Sequence, residues 1–438
     1  MKHVHSRARL LRRALVWGAC ASLSWLSHPQ LTEAQPNEDY VLTREPPPAR
    51  EDTDATGAAV SDDGASGTML GKAGWFPKSG GFIIASPEED YKLRIGFQSA
   101  TKLELINRDD EFQDRRTFFV LRPILAGNIY KPWIQFWTTL ELARNPIFLL
   151  DSYVDIKPWD EFGLRLGQQY TPLSRHESYG PQQILFPEWS PVAEYYWTGR
   201  DKGATVFGTL AEQLEYWVGI YSGSPLRQFT SIAGNYVVQG RVTYSPMGPV
   251  GATEYPYIVA EGEPPAPFGV SFTLQGSYGK VQTAEENFNT STFVFVDTPT
   301  GEINKNGTLG ADFFIQHSNF AVLVEGYYRD LDPGAAGDPS YQSVGAWGQV
   351  GVLLVPRRLD IAARFNWLDA STDLYDDTMV SAELQFAYYV HAPNVVVKLR
   401  GGIADQESPS PDVDMGAVKL YLPAGTSYIG TLQLNLMF

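Results

Sequence analysis

Residues 358–403 read RLDIAARFNWLDASTDLYDDTMVSAELQFAYYVHAPNVVVKLRGGI. Leu359, Ile361, Ala363, Phe365 and Trp367 share one parity, and Arg358, Asp360, Arg364 and Asn366 share the other. After a polar stretch the pattern returns, with Val380, Ala382, Leu384, Phe386 and Tyr388 against Ser381, Glu383, Gln385 and Tyr389. Only His391-Ala392 separates that run from a third, Val395, Val397 and Leu399 against Asn394, Lys398 and Arg400. Successive side chains of a strand point to opposite faces, so period-two alternation gives each segment one apolar and one polar face. Short turns between such segments make them antiparallel neighbours.

The same alternation runs back through Phe320–Arg329 to Tyr91 and forward to Phe438. It predicts sixteen strands, near 91–106, 115–129, 132–142, 148–157, 161–169, 202–210, 213–221, 235–245, 267–279, 306–316, 319–330, 341–355, 358–368, 378–390, 393–403 and 426–438. Short connections such as Tyr130-Lys131, Ala211-Glu212, His317-Ser318 and His391-Ala392 alternate with mostly longer ones, among them 170–201, 280–305 and 404–425. A closed membrane barrel has this parity, with short periplasmic turns and longer extracellular loops. Residues 246–266, rich in Pro and Gly, break the rule as a long connection on the short-turn side. Lipid offers no partner for backbone amides, so a spanning sheet must close on itself. Alternation alone also fits a soluble sandwich; the turn parity, the leader described below and the terminal Phe438 favour a transmembrane antiparallel β-barrel of about 16 strands.

Composition narrows the classes further. The chain has 438 residues, 43% of them hydrophobic, 13% aromatic and 19% charged. That suits a packed structure and excludes disorder throughout. Beyond the N-terminus no apolar run approaches the roughly 20 residues of a membrane helix. The single cysteine, Cys20, excludes a disulfide framework and a Cys-based metal or redox centre. Residues 1–34 hold Lys2, Arg7, Arg9, Arg12 and Arg13 against Glu33 alone, so the remainder is strongly acidic. Such a balance argues against a nucleic-acid partner.

The N-terminal region divides in two. Basic residues 1–13, the apolar run Ala14–Leu26 and the small-residue site Thr32-Glu33-Ala34 read as a signal peptide over 1–34. Residues 35–90 read as an acidic, Pro/Gly/Ala-rich periplasmic tether, disordered over 35–74, with a short lead-in strand at Phe82-Ile83-Ile84. Residues 91–438 form the barrel domain.

Several motifs stand in order along that domain: Arg115-Arg116, Gly163-Leu-Arg165-Leu-Gly167-Gln168 leading to Pro172, Gly199-Arg200-Asp201-Lys202-Gly203, and Pro356-Arg357-Arg358 with Arg364 and Trp367. Together they resemble the phosphate-selective porin O and P family of bacterial outer-membrane porins. The resemblance implies a trimeric, sixteen-stranded porin whose third extracellular loop, about 170–200, folds into the pore. The family often carries a Lys where this chain has Gln169-Tyr170-Thr171, which argues against strong anion or phosphate selectivity.

A pore selects by the charge and size of its narrowest ring. Strand parity puts Arg94, Lys102, Arg116, Arg122, Arg165, Arg241, Arg329, Arg364, Lys398 and Arg400 on the lumen face, nearly balanced by acids including Glu104, Glu141, Asp151, Asp155, Asp312, Glu325 and Glu383. The loop 170–200 is rich in aromatics that suit a lumen better than open water. Arg175, Arg200, Lys202, Glu188, Glu194 and Tyr170 are therefore the candidates for a constriction or solute site, with His176 as a polar lining residue. Phe438 is the candidate assembly signal, read by the barrel-assembly machinery. Leu384 is expected to face lipid and Gln385 a wet lumen that would tolerate Arg. No nucleophile, metal-binding or phosphate-loop motif supports catalysis, a metal or a cofactor. The expected function is passive diffusion of small polar solutes and ions, phosphate or other anions among them, through a homotrimer in the outer membrane. A barrel with a non-transport task, as a surface enzyme or adhesin, and a secreted soluble β-rich binding protein are the alternatives.

Overall fold

The computed structural model describes residues 72–76, 81–108, 111–143, 147–224, 234–251, 253–259, 264–289, 294–334, 339–373, 377–407 and 425–437. Two short strands, β1 (Lys72–Phe76) and β2 (Gly81–Ala85), precede sixteen barrel strands. The first eight are β3 (Lys92–Arg108), β4 (Glu111–Asn128), β5 (Ile134–Glu141), β6 (Phe148–Trp159), β7 (Phe162–Tyr170), β8 (Arg200–Leu210), β9 (Leu214–Tyr221) and β10 (Val237–Tyr244). The second eight are β11 (Gly269–Asn289), β12 (Val294–His317), β13 (Phe320–Asp332), β14 (Tyr341–Val355), β15 (Leu359–Asp369), β16 (Thr378–His391), β17 (Val395–Gln406) and β18 (Gly425–Met437). Each pairs antiparallel with its neighbours, and β18 pairs with β3 from Ser427↔Arg108 to Met437↔Gln98, which closes the barrel.

The distribution of polarity is inverted relative to a water-soluble fold. Leu274, Leu309, Leu399, Leu384 and Leu432 lie exposed on the outer face. Glu325, Asp360 and Lys398 are fully buried inside. Exposed aromatics gather near the two ends of the wall: Trp133, Trp159 and Tyr388 near the short turns, Tyr278, Tyr328 and Tyr428 towards the longer loops. An apolar band between aromatic girdles is the outer surface a bilayer requires. Short turns close one end, helped by positive φ at Tyr130, Ala211, Glu212 and Arg357.

The structure departs from the sequence expectation in three places. Residues 280–305, expected as a loop, extend β11 and β12 into a long hairpin paired as far as Asn289↔Val294. Its Thr, Val and Phe residues favour a strand, but it lacks the continuous lipid-facing alternation by which the barrel strands are recognised. Residues 72–74, expected as tether, belong to β1, which pairs with β2 over Lys72↔Ala85 to Phe76↔Gly81. On β4, Val120 pairs with Ala100 but Phe118 pairs with Thr101, so Phe119 is an extra residue. That shift puts Arg115 opposite Glu104 and Arg116 opposite Leu103. The proposed signal peptide, residues 35–71, Phe438 and the Arg116 side chain lie outside the described residues.

Candidate functional site

The third loop of the long-loop end, L3 (171–199), folds into the barrel. Its stem is pinned by Thr171, whose N–H and Oγ1 donate to Gly199 O at 3.0 and 2.7 Å. Gly199, at φ 67°, takes the left-handed conformation that lets the chain re-enter β8. The one helix of L3, α1 (Pro191–Tyr196), starts at Ser190, whose Oγ caps Val192 and Ala193 N–H, with Pro191 at the first helical position. Its last carbonyls are satisfied from the wall: Arg329 Nη1 donates to Tyr195 O at 2.8 Å and Nη2 to Tyr196 O at 2.7 Å. Two inward glycines of β14 make room for L3. A Cβ at Gly345 would stand 2.8 Å from Val192, and one at Gly351 would stand 2.8 Å from Leu185.

L3 thus has a core of its own. Tyr179, Phe186, Trp189, Tyr195, Tyr196 and Trp197 are buried against Phe314, Leu323, Tyr327, Trp347, Leu368 and Tyr389 of β12–β16. Tyr196 stacks on Tyr327 at 4.8 Å, and His176 lies 4.3 Å from Trp347. The opposite arc, β3–β9, is lined by charges and aromatics. Arg165 pairs with Asp155 at 2.7 Å and lies 3.8 Å over the Tyr153 ring, beside the stacked Phe207 and Trp217.

Charge is paired between L3 and the wall formed by β15–β18 and β3. Glu188, on L3, contacts Lys102 of β3 and Arg400 of β17, the latter at 2.8 Å. Arg400 also meets Glu383 at 3.2 Å and Glu104 at 3.4 Å, and Arg364 holds both oxygens of Glu383 at 2.9 Å. This cluster of Lys102, Arg364 and Arg400 with Glu104, Glu188 and Glu383 carries no net charge. Burial alone would raise the Glu188 carboxyl, but Lys102 and Arg400 hold it far below the ordinary carboxylate range. Glu177 is the reverse case: burial pushes its carboxyl well up, Glu325 adds to the rise, and a bond from Gly199 N–H opposes it.

The other predicted site residues are distributed as follows. Arg175, on L3, is buried against the wall, donating to Asp312 at 2.8 Å and to Ser271 at 2.8 Å. Arg200 sits at the base of L3 on Asp151 at 2.8 Å, 5.6 Å over the Tyr170 ring. Arg122 pairs with Glu141 at 2.6 Å. Lys202, half-buried, lies 3.8 Å from Asp201, and Glu194 is half-buried on α1. Arg94 lies 5.0 Å over Trp137, Arg241 faces Glu215 at 3.5 Å, and Lys398 donates to Ile184 O of L3 at 2.7 Å. Leu384 faces outward, as expected. Gln385 does not face water: it is fully buried, and its amide donates to Leu185 O at 2.6 Å. The lumen at that point is filled by L3, so, contrary to expectation, the site has no room for Arg.

Sequence reasoning missed Glu254, Tyr255 and Tyr257. They come from the connection between β10 and β11 at the short-turn end, and all three are buried inside the barrel. The available signal was its length, which broke the turn parity. Among the described residues no group of His, Cys, Asp and Glu could hold a metal ion.

A closed β-barrel with a lipid-facing exterior, a charged interior and an inward third loop defines an outer-membrane porin, a channel for small solutes. The family model for phosphate-selective porin O and P matches residues 94–358, and the chain belongs to that family. Among solved structures it is similar to the anion-selective porin from Comamonas acidovorans, with TM-score 0.56 and 9% identity over 79% of this chain and 99% of that one. It is also similar to OmpT of Vibrio cholerae in a trimer form, with TM-score 0.53 and 9% identity over 79% and 99%. No curated protein matches the chain by sequence.

Proposed function

We propose that this porin passes small polar solutes and ions by passive diffusion with at most a weak anion preference, as a homotrimer. The observation that carries the reading is the neutral cluster around Glu188. Glu188 keeps about a quarter of its side chain exposed, whereas Lys102 and Arg400 are almost wholly covered. The solute path on this reading lies between L3 and the arc of β3–β9, where Lys202, Glu215 and Arg165 also retain exposure. Each has an opposite charge beside it, so no strong field of one sign is built along the path. Tyr170, where the family often has Lys, supports the same reading of the phosphate question. The trimer rests on the family and on the trimer form of the Vibrio cholerae OmpT. The test is the reversal potential under a roughly tenfold KCl gradient at low ionic strength, where screening is least. A small anion-favouring value is expected, and a strongly selective one of either sign would contradict the proposal. Native mass spectrometry in detergent checks the trimer.

A further inference from the structure

We propose that the connection at the short-turn end, T4 (245–268), is a second inward-folded element that clamps L3 from below, with Glu254 as its positioning residue. The inference rests on the channel reading above but concerns what holds its narrowest part in place. The other connections at that end, 129–133, 160–161, 211–213, 318–319, 356–358 and 392–394, merely turn the chain. T4 instead sends Glu254, Tyr255, Tyr257 and Ile258 into the barrel, each at most 7% exposed.

The join to L3 is specific. Glu254 N–H donates to Gln183 O at 2.9 Å. Its carboxylate accepts from Leu185 N–H at 2.7 Å, from the Gln349 amide at 2.6 Å and from His176 Nδ1. The direction of the last bond follows from the other side of the ring. Ser190 N–H donates to His176 Nε2 at 2.8 Å, so Nε2 is unprotonated and Nδ1 carries the hydrogen. Glu254 therefore faces three donors and needs acceptors at both oxygens. Through His176 it reaches Ser190, the cap of α1, and through Leu185 the middle of L3. Tyr257 OH supplies the anchor to the wall, donating to Asp360 at 3.2 Å. The seat is cut in β14, where a Cβ at Gly351 would fall 2.3 Å from Tyr257 OH and 2.8 Å from Leu185 Cδ2. One missing side chain thus admits T4 and L3 together. Burying a carboxylate is costly unless every lone pair is used, and here the bonds run to L3 and to the wall. T4 thereby joins the two.

Glu254→Gln tests this with little change in shape, because its NH2 would confront a donor. Two readouts are used on the full chain. Hydrogen exchange should become faster in peptides covering 176–190 while β15–β17 peptides keep their protection. In planar bilayers the variant should show open-channel noise and a conductance raised about twofold, because the pore width is no longer fixed. Met247→Ala, at an exposed site on the same connection, should match wild type in both, and Tyr257→Phe should give a smaller change of the same sign. Unchanged exchange in 176–190 for Glu254→Gln would overturn the clamp, whatever the currents show. A wild-type protein that never conducts would instead overturn the channel reading, and the exchange result would still decide the clamp.

Discussion

Glu188 is a single carboxylate holding two cations, Lys102 and Arg400, in a cluster with no net charge. Glu188→Gln leaves that cluster with one excess positive charge, so the reversal potential should move towards anions. Arg400→Ala leaves one excess negative charge and should move it the other way. A shift of the same sign in both variants would show that the cluster does not set ion preference. Because the folded Glu188 is held well below the ordinary range, its charge persists on mild acidification, and the preference should stay constant from about pH 8 to pH 5. Glu177 has the opposite linkage. Its folded carboxyl is raised by burial, so its contribution to stability is full below the ordinary carboxylate pKa and is lost as pH rises through the folded value. Glu177→Gln should therefore raise the unfolding temperature more at alkaline than at acid pH, as followed by gel heat-modifiability. Such pairings were only partly legible in the sequence. Parity put Arg165 and Arg400 inside, but nothing in the chain announces that Ser174 would donate to Glu325 at 3.0 Å, because 150 residues and the closed barrel intervene. The bulge at Phe119 hid itself for a related reason: one extra residue reverses parity and leaves no compositional mark.

Among elements, the barrel strands were readable because lipid imposes a two-residue period on each of them. L3 was readable from its aromatics. T4 was visible only as an exception to the turn rule, since its inward fold depends on Gly351 and His176, which come from distant segments. The contrast between Leu384 and Gln385 tests the wall and the loop together. Leu384→Arg places a cation on the lipid face and should cost about 2–4 kcal/mol near the midplane. Gln385→Arg should also destabilise, because its site is sealed under Leu185 O. Urea unfolding from vesicles measures both, and a harmless Gln385→Arg would mean that L3 does not press on β16. Arg175→Ala should cost about 3–5 kcal/mol by leaving Asp312 as a buried charge without its partner.

At the scale of the molecule, an exterior of leucines and an interior of paired ions make sense only if lipid lies outside and the passage inside. The interior of this barrel is therefore expected to conduct. Single-channel recording of the refolded full chain in a planar bilayer tests it most directly. Stable stepwise currents, roughly linear in voltage and with weak ion preference, are the predicted result. A folded, heat-modifiable and membrane-inserted barrel that produces no current steps would contradict it.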